Sequence, residues 1–281
     1  MALEIRTMQP EDLPLGQALC RLAGWNQTAA DWQRLLTLSP DGIFVATYKG
    51  QPCATACATH YGSKTAWIGM VLVHPDCRRR NIGSSLMRHC IDYLKTKRVE
   101  CIKIDASDQG RPVYLKLGFD DERPVFRYLG SKPSGITPDP DAHAVRAEWW
   151  PAIAACDRDV FGSDRLDLLK LLSTQAISAV VPTSSGVAGY GFAREGIHAS
   201  YVGPIVAMDA TTARRIVATL LAQLPDGEVY WDILPDNVAA KGLAAEQGFA
   251  IRRRFTRMYL GEPIHSGDLG YLYGTAGLEF G

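Results

Sequence analysis

The sequence predicts an α/β (α+β) protein in which one order of strands and helices occurs twice. Its 281 residues are enough for two domains of ordinary size. Short apolar segments with turn residues between them predict strands, and apolar residues at helical spacing predict helices. The pairs Gly118-Phe119 and Gly248-Phe249 end the same series of elements in each half, 130 positions apart (248 minus 118). This repeat of a whole domain indicates two tandem domains.

The first half begins with a short apolar strand and two helices, which three strands follow. Turns at 49–50 and 62–64 separate those three strands and indicate an antiparallel meander. Apolar residues then recur at four-residue spacing from Ile82 to Leu94, which predicts an amphipathic helix. The predicted elements are strands at 3–8, 43–48, 52–61, 66–74, 101–105 and one ending at 129, and helices at 13–23, 29–38, from 82, and 111–117.

A segment rich in proline and turn-forming residues comes next and is the predicted domain boundary. It divides the chain into a first domain at 1–130, a linker at 131–142 and a second domain at 143–281, which ends in a tail. The second half repeats the element order of the first. Its predicted helices are at 149–160, 165–173, around 216–224 and 238–246, and its strands at 177–182, 186–193, 199–207, 229–234 and after 249.

Composition excludes several classes of function. The 30 basic and 30 acidic residues balance, so no net field favours a nucleic acid or an anionic membrane as partner. The seven cysteines are dispersed like reduced core thiols, and the six histidines show no metal-binding spacing, so no metal is expected. The sequence has no basic leader and no apolar run of membrane-spanning length. These features favour a cytoplasmic enzyme or binding protein and leave its oligomeric state open.

The most informative stretch joins an apolar strand to a helix through a basic turn. The strand ends at Val73, arginines occupy positions 78–80, and the helix begins at Ile82. Backbone amides in such a turn point to one place at the positive end of a helix dipole, which favours a phosphate or pyrophosphate. Gly83 has no side chain, which allows the anion to approach closely.

This stretch resembles the acetyl-CoA signature of the GNAT superfamily of N-acetyltransferases, Arg/Gln-x-x-Gly-x-Gly/Ala, placed on Arg78, Asn81 and Gly83. It departs from the signature at Asn81, where the family usually has glycine. Asparagine tolerates a positive φ better than most residues, so we expect the turn to persist. A second family motif matches the segment from Asp105 to Phe119, and the element order of the first half agrees as well.

The resemblance implies that each domain has a mixed, mostly antiparallel sheet flanked by helices, and that the first domain binds acetyl-CoA. The strand ending at Val73 would splay from the strand ending at Asp105, with pantetheine in the gap. Tyr114 would be catalytic and donate a proton to the departing CoA thiolate, while the amide near Val71 would stabilise the developing oxyanion. The residues implied to bind the cofactor are Val71, Leu72, Val73, Arg78, Arg79, Arg80, Asn81, Ile82, Gly83, Ser84 and Ser107.

The acceptor side has several candidate residues. His60 and Asp105 are candidates for the proton acceptor, and a chain of water molecules is an equal alternative. Trp25 is a candidate substrate contact because it lies in the loop between the first two helices. The resemblance implies that this loop lines the acceptor site, as it usually does in the GNAT superfamily. His198 precedes a strand of the second domain and is a further candidate.

The second copy lacks the same chemistry. Its turn at 207–213 has neither glycine nor arginine, and it carries Asp209 where a phosphate would bind. Ala244 stands where the offset of 130 positions places the counterpart of Tyr114 (244 minus 114). We therefore expect the second domain to bind no CoA, and it resembles the degenerate C-terminal domains of tandem acetyltransferases. Its role would be to wall the acceptor site or to support the first domain.

The sequence thus predicts an N-acetyltransferase that moves acetyl from acetyl-CoA to a primary amine of a small molecule by direct attack on the thioester. Two alternatives remain open. One is a non-enzymatic acyl-CoA-binding module that regulates an interaction. The other is an acetyltransferase for protein lysines or N-termini, which would need an open groove and gains no support from the balanced charge.

Overall fold

A computed structural model, which describes residues 3–264 and 267–281, divides the chain into two compact units. The first unit takes its described residues from Met1–Glu122, Arg257–Ile264 and Glu279–Gly281, and the second from Arg123–Thr256 and His265–Leu278. Each unit therefore combines segments that are far apart in the sequence. Within the described residues, no helix has the length and apolar character to cross a membrane, and no cluster of three or more His, Cys, Asp or Glu residues could hold a metal ion.

The secondary structure follows the sequence prediction closely. The strands are β1 (Glu4–Thr7), β2 (Ile43–Tyr48), β3 (Gln51–Tyr61), β4 (Thr65–Val73), β5 (Cys101–Ala106), β6 (Asp120–Ser131), β7 (Ile177–Thr183), β8 (Gly186–Arg194), β9 (Ser200–Ala207), β10 (Glu228–Ile233), β11 (Ala250–Gly261) and β12 (Leu272–Gly274). The helices are α1 (Leu13–Ala23), α2 (Ala29–Leu38), α3 (Ile82–Thr96), α4 (Arg111–Leu115), α5 (Trp150–Phe161), α6 (Leu166–Ser173), α7 (Ala210–Gln223) and α8 (Val238–Glu246). Each predicted element is present, and β12 is an addition that no sequence pattern predicted.

Local chemistry sets the ends of the first two helices. α1 ends at Gly24, which adopts a left-handed φ of 65°. α2 begins behind Thr28, whose hydroxyl accepts from the Asp31 amide at 3.3 Å while the Asp31 carboxylate accepts from the Thr28 amide at 2.8 Å. Gly24 and this reciprocal capping box thus define the two ends of the loop that joins the helices.

The sheet of the first unit runs in the order β1-β2-β3-β4-β5, followed by the residues of β11 from Arg257 onward. Neighbours from β1 to β4 are antiparallel, whereas β4 and β5 are parallel. Ala54, Ala56 and Ala58 of β3 share a buried core with α3, and their small side chains let the helix lie close to the sheet. The predicted mixed, mostly antiparallel sheet is confirmed.

The second unit repeats this architecture. Its sheet runs from the first residues of β11 through β6, β10, β9 and β8 to β7, and β12 pairs with β9. β9 and β10 are parallel, and β7, β8 and β9 are antiparallel. Ile205 packs with α7 in one core, and its neighbour Val206 packs with α5 and α6 in another. Successive side chains of a strand point to opposite faces, so helices cover both faces of this sheet.

The division into units differs from the contiguous boundary that the sequence indicates. Residues 123–131 of β6 lie in the second unit, whereas the end of β11 lies in the first. The segment 131–142, predicted as a linker, is part of the second unit, where the Lys132 ammonium donates to the Leu224 carbonyl at 2.9 Å. β6 and β11 occupy the same place in the two sequence copies, so periodicity could not decide which sheet each strand completes.

Candidate active site

The first unit has an open helix N-terminus soon after β4. A short 3-10 turn follows the strand, and α3 then begins behind Asn81, which has a positive φ of 61°. Asparagine therefore adopts the left-handed conformation that the glycine of the family signature would favour. Among the described residues, the Asn81 side chain makes no capping bond to the helix. The first-turn amides of α3 therefore remain available to another hydrogen-bond partner.

Gly83, in the first turn of α3, borders open space. Apart from its chain neighbours and its own helix backbone, a methyl group added to its Cα would meet one atom of the described residues within 4 Å, the Val73 Cγ2 at an ordinary 3.6 Å. Packing within the protein therefore does not require glycine at this position. The space suits an anionic group that must approach the backbone amides closely.

Three exposed arginines surround this helix start and have different neighbours. The Arg78 Nε donates to the Val73 carbonyl at 3.1 Å, and Arg79 has a positive φ of 60°. The Arg80 guanidinium lies 5.3 Å from the centre of the Tyr48 ring, within cation–π distance. Together with the helix dipole, these cations create a positive potential that fits a pyrophosphate.

β4 and β5 separate after their first three residue pairs. In the described chain they pair only over 65–67 and 101–103, although both strands continue. Met70 has a φ of 52° where the pairing of β3 with β4 becomes irregular, and its carbonyl accepts from the Thr55 hydroxyl at 3.0 Å. The backbone of residues 70–73 is therefore not engaged by β5, which is the splay that the resemblance implies.

Tyr114 lies in the short helix α4, buried beside the Phe119 ring at a centroid distance of 6.1 Å. Burial raises the pKa of its phenol well above the ordinary value of 10, so the hydroxyl keeps its proton at neutral pH. The Gly110 amide donates to the Ser107 hydroxyl at 3.3 Å and to the Ser107 carbonyl at 2.9 Å. Ser107 therefore shapes the start of the helix that holds a protonated phenol.

The residues predicted for the acceptor side lie in different places. Trp25 is half-buried in the loop between α1 and α2. The His60 Nδ1 lies 3.3 Å from the Gly62 carbonyl, beside the turn into β4. His60 is therefore near the beginning of β4, at the opposite end from the turn that leads into α3. His198 belongs to the second unit, where it is exposed between β8 and β9.

Asp105 lies in a buried ion pair that the sequence did not predict. Its carboxylate oxygens accept from Nε and Nη2 of Arg257 at 2.8 and 2.9 Å, and neither side chain is more than 3% exposed. The same guanidinium lies 4.5 Å from the centre of the Trp67 ring. A carboxylate bound at both oxygens by a guanidinium is a weak proton acceptor. This geometry favours a structural role for Asp105 over its candidate role as the proton acceptor.

Residues 279–281 reach this same sheet, although no sequence pattern marked them. The Gln27 side-chain amide donates to the Glu279 carboxylate at 3.0 Å, and the Tyr61 hydroxyl donates to the Phe280 carbonyl at 2.8 Å. The sequence separations are 252 and 219 residues, which leave no local signal. Sequence reasoning therefore missed Gln27 and Glu279, as it missed Arg257.

The second unit contains the counterpart of the helix start, but there the chain caps itself. The Asp209 carboxylate accepts from the Thr212 amide at 2.8 Å and from the Thr212 hydroxyl at 3.0 Å. The bond from this amide is the main cause that lowers the pKa of Asp209. An internal carboxylate thus takes the place where an external anion would bind.

The strand gap of the second unit is also filled by the chain. β9 and β10 pair over 200–202 and 229–231, and beyond these pairs β12 bonds to β9. The Trp231 indole donates to the Tyr273 carbonyl at 2.8 Å, which fixes β12 in place. Ala244, the counterpart of Tyr114, is fully buried. The second unit therefore has neither an open gap nor a phenol at these positions.

Comparisons with known proteins place a related domain on each half of the chain. The family described as "Acetyltransferase (GNAT) family" matches residues 10–119, and the one described as "Acetyltransferase (GNAT) domain" matches residues 153–274. Holothin acyltransferase from Pseudoalteromonas sp. (strain SANK 73390) is 23% identical over 265 residues, which cover 92% of this chain and 87% of that protein.

Solved structures share the fold over nearly the whole length of this chain. A Pyrococcus horikoshii protein solved as a candidate acetyltransferase is 25% identical, with a TM-score of 0.86 over 99% of this chain and 96% of that one. A tandem GNAT protein from the clavulanic acid biosynthesis pathway is 14% identical and shares the fold, with a TM-score of 0.66 over 94% and 100% of the two chains. The chain therefore belongs to the GNAT acetyltransferases, as a tandem-domain acyltransferase enzyme.

Proposed function

We propose that the first unit transfers an acetyl group from acetyl-CoA to a primary amine of a small molecule. The observation that carries this proposal is the contrast between two equivalent helix starts. The start of α3 is uncapped and surrounded by Arg78, Arg79 and Arg80, whereas the start of α7 is closed by Asp209. One unit thus offers an anion site, and the other has filled the equivalent site with its own carboxylate.

The donor would lie along the turn and the splayed strand. The amides of Ile82, Gly83 and Ser84, with the neighbouring arginines, would hold the pyrophosphate. The backbone of residues 71–73 would bond to the amides of pantetheine, in the manner of a strand that adds to a sheet edge. Bound acetyl-CoA supplies a thioester that is already activated toward an amine.

The residues of this chain would supply positioning and proton transfer. The Val71 amide would polarise the carbonyl oxygen that the amine attacks. Tyr114 would give its proton to the thiolate that leaves, because burial keeps its phenol protonated. The amine must lose one proton as the new C–N bond forms, so the net reaction yields an amide and free CoA.

The acceptor class is proposed on two grounds. The Pseudoalteromonas relative is named for the acylation of holothin, which favours a metabolite as acceptor. The balanced charge of the chain, 30 basic against 30 acidic residues, provides no field to attract a charged protein surface. A regulatory module would instead bind CoA without turnover, and a protein acetyltransferase would prefer lysine peptides.

The test compares wild type with Tyr114→Phe and a matched control, Tyr271→Phe, which removes the hydroxyl of an exposed tyrosine in the second unit. CoA release is measured with acetyl-CoA and primary amines, and CoA affinity by calorimetry. We expect Tyr114→Phe to lower kcat on the order of 100-fold, with CoA affinity within about twofold of wild type and no change in the control. If wild type and both variants bind CoA and none of them acetylates any amine, the proposal is contradicted.

A further inference from the structure

A group of basic side chains extends from the start of α3 to the turn between β2 and β3. The Arg80 guanidinium lies 5.3 Å from the centre of the Tyr48 ring, and the Lys49 ammonium lies 5.7 Å from the centre of the same ring. We propose that Lys49 and Arg80 bind the 3′-phosphate of CoA, so that the protein distinguishes CoA from 3′-dephospho-CoA. This inference rests on the proposed function and adds a specificity site for its acyl donor.

The turn between β2 and β3 lies at the end of the sheet where β4 leads into α3. β3 runs from this turn antiparallel to β4, and the His74 amide, one residue after β4, donates to the Cys53 carbonyl at 2.8 Å. Tyr48 and Val73 pack against the same apolar core. The turn therefore borders the helix start where the pyrophosphate would bind.

Both cations are open to solvent and lack a compensating charge. Lys49 and Arg80 are exposed, and neither makes an ion pair within the described residues. The nearby Asp76 carboxylate instead lies 3.8 Å from the His74 ring. Apart from its chain neighbours, a methyl group added to Gly50 would meet nothing within 4 Å in the part of the chain that the structure describes. An anionic group therefore has space beside these two side chains.

The Tyr48 ring prepares the two cations for an anion. A ring face attracts a cation without neutralising it, and it limits the volume that the side chain samples. Binding of a phosphate therefore costs less side-chain entropy than it would with a freely moving arginine. A guanidinium can hold a phosphate through two parallel N–H bonds, while the ammonium of Lys49 adds a mobile point charge.

The charges of CoA match this arrangement. Its pyrophosphate carries one negative charge on each phosphate, which the first-turn amides of α3 can balance with Arg78 and Arg79. Its 3′-phosphate is a monoester with about 1.5–2 negative charges at neutral pH. This group is on the ribose that is joined directly to the pyrophosphate, so it lies near the helix start. Lys49 and Arg80 supply the two positive charges that it requires.

The other side of the helix start is acidic. β5 is parallel to β4, so the loop that follows β5 lies at the same end of the sheet. Asp108 is exposed in that loop, and the Arg111 guanidinium after it donates to the Asp121 carboxylate at 2.9 Å. A phosphate monoester on that side would meet a like charge. The electrostatics therefore favour the turn between β2 and β3.

The second unit differs at the equivalent turn. Residues 183–186, which join β7 to β8, are one threonine, two serines and one glycine, with neither an aromatic ring nor a cation. The helix start of this unit is capped by Asp209. The basic turn thus occurs in the unit with the open helix start and is missing from the unit that has closed it.

The test measures the dissociation constants of CoA and 3′-dephospho-CoA for the full chain by calorimetry at low ionic strength. Wild type should bind CoA about 10-fold more tightly, as expected for two exposed charge pairs. Lys49→Met and Arg80→Met should each reduce this preference to about threefold, and the double variant should abolish it. The control Lys97→Met removes an exposed cation 5.2 Å from the Tyr93 ring, at the other end of α3, and should keep the wild-type preference.

Each result decides the matter. Equal affinity of wild type for the two compounds would overturn this inference and leave the proposed function intact, because acetyl transfer requires the thioester and not the 3′-phosphate. A preference that persists unchanged in the double variant would also overturn the inference, since the phosphate would then be bound elsewhere. A wild type that binds neither compound would overturn the proposed function and this inference with it. Both substituted side chains are exposed, so the variants should unfold at the wild-type Tm.

Discussion

Gly83→Ala distinguishes an effect on the stability of the folded protein from an effect on the binding of CoA. Gly83 is the second residue of α3, and the added methyl would meet Val73 Cγ2 at 3.6 Å, an ordinary contact. The folded protein can therefore accept alanine without strain. A bound pyrophosphate would instead meet the methyl where it approaches the first-turn amides.

The two effects have opposite signs and can be sized separately. Alanine in place of a helical glycine should raise the free energy of unfolding by about 0.5–1 kcal/mol, since it restricts the unfolded chain. For a chain of this size, that corresponds to about 1–4 °C in Tm. Loss of one hydrogen bond to a charged phosphate costs about 1.5–3 kcal/mol, which weakens CoA binding by about 10- to 150-fold.

The assays are thermal unfolding of the ligand-free protein and calorimetric titration with CoA. Gly242→Ala is the matched control because Gly242 lies in α8 of the second unit, where an added methyl meets nothing within 4 Å in the described chain. It should stabilise the protein to a similar extent and leave CoA affinity unchanged. Gly83→Ala with CoA affinity within about twofold of wild type would refute the assignment of the pyrophosphate to this helix start.

Two further predictions concern the ion pair and the capped helix. Arg257→Met leaves the buried Asp105 carboxylate without its guanidinium and should lower the free energy of unfolding in urea by about 3–5 kcal/mol. Adding Asp105→Asn should recover part of that loss, and strictly additive losses would contradict the coupling. Asp209→Ala should lower the free energy of unfolding by about 1 kcal/mol, because α7 loses its cap. Calorimetry of this variant should still give one CoA per chain, because β12 keeps the second gap filled. A second CoA site in the variant would contradict this expectation. Since the folded pKa of Asp209 is lowered from 3.8, the charged cap stabilises above that pH and is lost as pH falls through the folded pKa. The stability difference between wild type and Asp209→Ala should therefore narrow on acidification from pH 6 to pH 3, and a constant difference would contradict the assignment.

The two helix starts show how one fold gives one open site and one closed site. In both units a strand leads into a helix whose first amides need partners. Asn81 leaves those of α3 open, while Asp209 satisfies those of α7 within the chain. The difference in capping depends on a single side chain at each helix start, so this part of the contrast is visible in the sequence before any contact is known.

The sequence by itself determined the elements, their order and the basic turn. These features depend on residues close together in the chain, such as the four-residue spacing from Ile82 to Leu94 and the glycine at 83. The signature on Arg78, Asn81 and Gly83, together with the order of elements, carried the resemblance to the GNAT family, which the comparisons confirmed.

Only the tertiary structure decided which strands complete each sheet and which distant residues lie against the first sheet. The end of β11 lies beside β5, Arg257 binds Asp105, and Glu279 lies against Gly69. These residues are more than a hundred positions apart, and nothing in their local pattern distinguishes them from ordinary strand or tail residues. Their roles arise from packing, because apolar periodicity specifies which face of an element is buried but not which distant segment buries it.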